Sequence, residues 1–314
     1  MASVDALDRL CVWSSPTGTE TAIQEAIATS GIATASDHQE LLLHAEYLTQ
    51  LARAQGLQRR FDDAKATLEA AKSVTERVES AAEAEAEAAG DGIDPDAPVL
   101  AAARRVRVRI LLESGRVLNS ANAPEQAVTP FRTALQLAKI GKEPDVLADL
   151  SVDALHMLAI VETEPDAKFA IGERAIEMAT KSKNAKARKW IASLQNNQGW
   201  NLHDAGEFEA ALERFNKALE ARKKDNPAGH QSIRVAQWCV ARCKRSLGET
   251  DEALAMQEQL NEGDVYVCEE RAILYDLKGI QEKSKEYAAK ALALFKEGEV
   301  AEVRLEVLRG FVNV

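Results

Sequence analysis

The chain has 314 residues, of which 46% are hydrophobic, 5% aromatic and 28% charged, with a formal net charge of -11, a pI near 5.2 and a mean hydropathy of -0.27. That length suits two ordinary domains or one elongated repeat array, and the acidic balance argues against a nucleic-acid binder, which needs a basic face to displace condensed counterions. No apolar run approaches the roughly eighteen residues of a membrane span, and Met1 to Leu10 carries two aspartates with no basic cluster ahead of an apolar stretch, unlike a secretory signal.

Abundant alanine with Leu, Glu, Lys, Gln and Arg favours helix, because these side chains lose little rotamer freedom there. Valine and isoleucine occur singly rather than in alternating runs, so strands have little support. Residues 1–36 are expected to form two short helices around the turn at Ser14 to Gly18, covering the first repeat. From Asp37 to Lys296 the pattern repeats. Leu51, Ala52, Phe61, Ala64, Leu68 and Ala71 mark a first helix pair. Residues 79–98 differ: alternating Glu and Ala extend a helix into solvent, and Gly90 to Pro98 reads as an exposed loop, either a solvated linker or an acidic docking tail.

Gly115, Leu118, Ala127, Phe131 and Ala134 recur 84 residues later as Gly199, Leu202, Ala211, Phe215 and Ala218. Asp145 to Val161 and Asp166 to Thr180 supply a degenerate pair between them, which halves the interval to 42. The register continues loosely at Ala241, Gly248 and Ala253, and at a shorter interval through Ala272, Tyr275, Gly279, Ser284 and Ala291. Breaks at Asn122 to Pro124, Gly141 to Pro144, Glu164-Pro165, Asn226-Pro227 and Asn261 to Asp264 fall between helical segments. Residues 297–314 are expected to supply a capping helix over Glu299 to Arg309, with Val300, Val303 and Val307 inward. This gives about six helix pairs.

The clearest unit, Leu194 to Ala221, resembles the tetratricopeptide repeat at the positions where two antiparallel helices touch, with Gln195 where that family usually has a tryptophan. The 42-residue period and the block Leu194-Gln195-Asn196-Asn197-Gln198-Gly199 resemble the longer repeats of kinesin light chains, and three further blocks resemble bacterial proteins of the same class. The resemblance implies an all-α, right-handed superhelical solenoid of antiparallel helix pairs, since one pair cannot bury its apolar face alone. It also implies that first helices line a concave groove. The residue after each small position then points inward: Arg53, Arg116, Trp200 and Arg242, with Leu158 in the degenerate unit. Asn119, Asn196, Asn197, Trp238 and Arg245 lie nearby on the same wall.

Arginine forks, asparagine amides and flat indoles suit an extended peptide with acidic and apolar residues. The expected function is therefore a non-enzymatic protein- or peptide-binding adaptor or scaffold. Each residue also has a plainer reading, with Arg116 paired to Glu113 on a solvated surface and the tryptophans filling gaps between repeats. A different reading is a small-molecule or enzymatic site near His156 and Trp200, where Asp153 would orient the imidazole. No nucleophile can be placed beside that pair, and the remaining histidines are scattered without ligand spacing. Cys239 and Cys243 are four apart on one face, Cys11 and Cys268 are distant, and reduced, buried thiols in a cytoplasmic protein are favoured over a zinc site. No metal, cofactor, membrane or nucleic-acid partner is expected.

Overall fold

The computed structural model describes residues 3–90, 92–142, 145–295 and 302–313. Among the described residues there are sixteen α-helices and no strand. Two short elements, α1 (Val4–Leu10) and α2 (Pro16–Ser30), precede the pairs α3 (His38–Leu57) with α4 (Phe61–Ala88), α5 (Pro98–Ser120) with α6 (Pro124–Leu137), and α7 (Ala148–Val161) with α8 (Pro165–Lys181). After the single turn α9 (Ala185–Arg188) come α10 (Ile191–Asp204) with α11 (Phe208–Asp225), α12 (Gln231–Ser246) with α13 (Thr250–Glu258), α14 (Val265–Leu277) with α15 (Gln281–Leu294), and finally α16 (Glu302–Asn313). The chain divides into two compact units, Met1–Trp190 and Ile191–Val314, each holding three of the pairs.

Within a pair the helices cross where the repeated small residues stand. A Cβ added to Gly199 would lie 2.6 Å from the Phe215 ring, and one added to Gly115 would likewise meet the Phe131 ring inside van der Waals distance. Ala127, Phe131 and Ala134, like Ala211, Phe215 and Ala218, are almost fully buried, so the stripe at helical spacing is the core face. In the last pair the hydroxyl of Ser284 donates to the Ala272 carbonyl at 2.9 Å, a polar version of the same close approach.

Five of the turns inside pairs close alike. Arg59, Asn122, Gly206, Gly248 and Gly279 take positive φ, and the next amide donates back to a carbonyl five residues earlier, as in Glu207 to Leu202 at 2.9 Å. This is the left-handed cap that satisfies the last carbonyls of a helix. The pair α7–α8 instead turns through Glu162 to Pro165, with extended backbone at Glu162 and Glu164, which accounts for its degenerate pattern.

In each unit the first helices of successive pairs touch, α3 with α5 and α5 with α7, and α12 with α14, forming an inner layer. The helix α4 does extend through the Glu/Ala stretch to Ala88. The acidic loop beyond it is tied down: Asp96 accepts from the Arg104 guanidinium at 3.0 Å and from the Lys142 amide at 2.9 Å.

The final helix departs from expectation. Val303 and Val307 are 64% and 47% exposed, whereas Leu308 is fully buried, with Phe311 and Val312 packed beside it against α14 and α15. The larger Leu/Phe stripe offers more apolar area than the valines, and Arg304, one turn before Leu308, binds Glu269. Val300 with residues 297–299, 301 and 314 of the expected cap, Lys296 at the end of the expected array, Glu143 and Pro144 of one expected break, and Asp91 of the acidic loop lie outside the described residues.

Replacing Gly199 by Val should lower stability by about 1–3 kcal/mol through overpacking against Phe215, and Gly206→Ala by roughly 1–2 kcal/mol through its left-handed backbone. Glutamine at Glu83, Glu85 and Glu87 should leave the melting temperature nearly unchanged. Thermal melts of the purified variants check all three.

Candidate functional site

In the first unit the inner layer is built of charge. Glu46 on α3 is engaged by Arg105 and Arg109 of α5, and Glu113 on α5 by Arg53 at 3.7 Å and Arg116 at 2.6 Å. Arg116 also holds Asp153 of α7 in a short ion pair. Asp149, buried one turn before Asp153, adds its field at Arg109. Four guanidiniums thus face four buried carboxylates on three neighbouring helices, and none of the carboxylates is left without a counter-charge.

Burial alone would raise the Asp153 carboxyl, but Arg116 and Arg53 outweigh it and hold its pKa below the usual aspartate range. Desolvation likewise opposes the charge on Arg116, and Asp153 and Glu113 reverse the effect, so its pKa is raised. Arg53, by contrast, is lowered, because burial dominates and Arg116 adds repulsion to the attraction of Glu113.

Arg53, Arg116 and Asn119 line one pocket of about 220 Å³ together with Gly56, Leu57 and Met157. The sequence placed these three on the inner wall, and the structure brings them together. The arginines are nevertheless not free charges offered to a ligand, as that reading supposed. Arg116 does pair with Glu113, but in the interior rather than on a solvated surface. Leu158 is buried core.

His156 packs against Trp190 with ring centroids 5.2 Å apart, and burial lowers its pKa. The Asp153 carboxylate that was expected to orient it is the one gripped by Arg116. All four cysteines are free thiols, three of them buried, and burial pushes Cys11 up to about 11 and Cys239 up to about 12. Among the described residues no three His, Cys, Asp or Glu side chains converge as metal ligands, and no helix is long and apolar enough to cross a membrane.

The second unit presents aromatic rings instead. Trp200 on α10 lies 6.1 Å from Trp238 on α12, Trp238 lies 6.1 Å from Tyr266 on α14, and Tyr266 lies 5.9 Å from Phe295. Arg242 sits over the faces of Trp200 and Trp238 at 5.8 and 5.5 Å, and Arg304 over Tyr266 and Phe295 at 5.5 and 5.8 Å, within cation–π range. The indole of Trp238 donates to the Tyr266 carbonyl at 3.1 Å, which fixes its plane.

Arg242 and Arg245 share one fully buried carboxylate, Glu270. Beside the rings a pocket of about 290 Å³ is bounded by Val235, Trp238, Leu260, Tyr266 and Val267, with Arg234 and Asp264 at its edge. Asn196 lines a separate pocket with Arg222 and His230, and Asn197 is partly buried on the same helix.

Sequence reasoning did not single out Tyr266, Phe295, Arg304, Glu46 or Glu270. A strict 42-residue step from Arg242 passes beyond Glu270, because the last pair follows at a shorter interval; the two are only 28 apart.

No protein-family profile and no curated protein matches the chain. Solved structures do. RapI in its apo form is 13% identical over 98% of this chain and 81% of its own, with a TM-score of 0.61. A Rap protein complexed with competence and sporulation factor is 16% identical over 96% and 78%, with a TM-score of 0.55. Tetratricopeptide-like repeats of a kinesin light chain from Podospora anserina are 16% identical over 61% and 95%, with a TM-score of 0.50. At these identities the likeness is one of fold: the chain is an all-α protein of tetratricopeptide-type helix pairs.

Removing one partner of a buried ion pair strands the other charge, so Arg116→Ala and Asp153→Ala should each cost about 3 kcal/mol or more, with the double variant costing less than the sum. Urea unfolding of the four proteins measures this. The depressed pKa of Asp153 makes its contribution complete above the unfolded value of about 4 and lost as pH falls through the folded value. The Asp153→Asn protein should therefore lose less stability than the parent on going from pH 5 to more acidic solution.

Proposed function

We propose that the chain is a non-enzymatic protein- or peptide-binding adaptor that takes an extended segment on its inner helices. The observation that carries the reading is the apolar pocket beside Trp238 and Tyr266, where Val235 and Tyr266 remain 51% and 43% exposed. Apolar surface of this kind at the foot of a ring ladder is the usual form of an anchor pocket. A large apolar side chain fits the pocket, and an acidic neighbour fits Arg234, whose guanidinium bonds to the Gly229 carbonyl rather than to a carboxylate.

Trp200 and Arg242 extend the apolar, cationic strip, and Asn196 and Asn197 are assigned to the ligand backbone, since an amide can both donate and accept. In the first unit Arg53, Arg116 and Asn119 are assigned to the same task, with the ion network holding the arginine planes in place. A Rap protein of similar fold has been solved in complex with competence and sporulation factor, which supports a ligand-holding role for such a fold.

Titrating a library of extended peptides should select sequences with an acidic residue beside a large apolar one. Trp238→Ala should weaken the best of them by roughly thirtyfold, as a central aromatic anchor does, and Arg234→Ala should weaken it less and reduce its sensitivity to salt. Selection of basic peptides, or binding indifferent to both changes, would refute the assignment.

A further inference from the structure

The inner layer of the first unit is not bare. The helix α1 lies across it, from α3 at one side to α9 at the other. The Ser3 carbonyl accepts from the Tyr47 hydroxyl of α3 at 3.3 Å, and Leu7 is buried among Ile23, Ile32, Tyr47 and Leu51. Asp8 and Asp5 reach Lys186 of α9 at 2.7 and 3.7 Å. Where the segment leaves the layer, the Trp13 ring lies against the Arg53 guanidinium at 4.5 Å. The Asp8 carboxylate also acts on Arg109 below it.

The charge balance under α1 is closed without it. Arg53, Arg105, Arg109 and Arg116 already face Glu46, Glu113, Asp149 and Asp153 from their own helices. The segment is therefore not needed to neutralise the layer, unlike the carboxylates that are. It is held by one fully buried side chain, Leu7, with Leu10 and Cys11 packed beside it, by the Ser3–Tyr47 and Val12–Thr19 hydrogen bonds, by a tryptophan on an arginine, and by two ion pairs whose acidic partners are solvent-exposed. Burial of a single leucine is the largest of these contributions, and exposed ion pairs add little because solvent screens them. The seating is that of a bound ligand of modest affinity rather than of a core element.

We propose that the inner face of the first unit is a binding site for a short acidic amphipathic helix, and that residues 3–13 of this chain are its resident occupant. Its determinants are two carboxylates three residues apart for Lys186, a leucine between them for the Tyr47 and Leu51 hollow, and a following aromatic for Arg53. The proposal rests on the binding reading of the first unit, in which Arg53 takes part, but gives that unit a helical ligand in place of an extended one, and it does not depend on the ring ladder of the second. An external helix of the same chemistry would compete with α1 for the face.

The test uses a fluorescein-labelled synthetic peptide of residues 3–13 and the full chain. The parent, with its face filled, should bind the peptide weakly. Leu7→Asp unseats the resident segment and should tighten peptide binding at least tenfold, a gain that Lys186→Glu in the same chain removes. A second opening avoids the core: Asp5→Lys with Asp8→Lys should raise amide exchange in residues 3–10 roughly tenfold, and adding Lys186→Glu should restore protection by reversing both charges.

Trp238→Ala, in the other unit, should leave every one of these readings unchanged, so failure here and failure of the ring-ladder assignment are told apart. The proposal is overturned if the opened chains fold but ignore the peptide. It is also overturned if α1 exchanges as slowly as α3 in the parent.

Discussion

In two of the helix pairs, α5–α6 and α10–α11, the helices approach closely where a residue with no side chain meets an aromatic ring: Gly115 with Phe131, and Gly199 with Phe215. That contact sets how near two helix axes come, and the remaining packing is built around it. With the helices drawn together at one point, Ala127 and Ala134, or Ala211 and Ala218, can fill the seam on either side of the ring without voids. One apolar face of each pair is left over, and it is covered by the next pair. Stacking in this manner brings first helices against first helices within each unit, which creates the inner layer that carries Arg53 and Arg116 in the first unit and Trp200, Trp238 and Arg242 in the second.

What the two units do with that layer differs. In the first, Arg and Glu or Asp alternate between neighbouring helices, and the desolvation of each charge is offset only by its partners. Such a layer is costly to disturb and holds its guanidiniums in defined planes. In the second, the same positions carry rings, with arginines laid over their faces and a single buried glutamate beneath two of them. The proposed ligands differ accordingly: a helix seated by shape and weak charge on the first unit, and a segment held by apolar area at the ring ladder of the second.

Much of the candidate site was legible residue by residue but not pair by pair. Arg53 and Arg116, and in the second unit Trp200 and Arg242, could each be placed on a first helix because they share a position in the repeat. Apart from Glu113, three residues before Arg116, the ion-pair partners could not be read, because Arg116 meets Asp153 from 37 residues away, Arg105 meets Glu46 from 59, and Arg242 meets Glu270 from 28. No single period joins these. The expected column of available arginines became a network of committed ones for that reason. Tyr266 and Phe295 escaped notice because the last pair is shorter than the register that located the tryptophans.

Local chemistry was sufficient for the helices, their breaks and, outside the last helix, the core stripe of the clearest repeats. Propensity, the glycine or asparagine in the turns and the 3.6-residue stripe all act over a few neighbouring residues and leave a direct trace in the order of amino acids. Long-range competition decided the rest. Leu308 displaced the valines of the last helix because it met a larger apolar surface. Asp5 and Asp8, in the sequence no more than two acidic residues near the start, lie beside Lys186 because the stacking of three pairs carries that lysine across the layer to them. Charge and contact between distant segments depend on where the backbone finally runs, and that is set by the sum of all the packing rather than by any one stretch of chain.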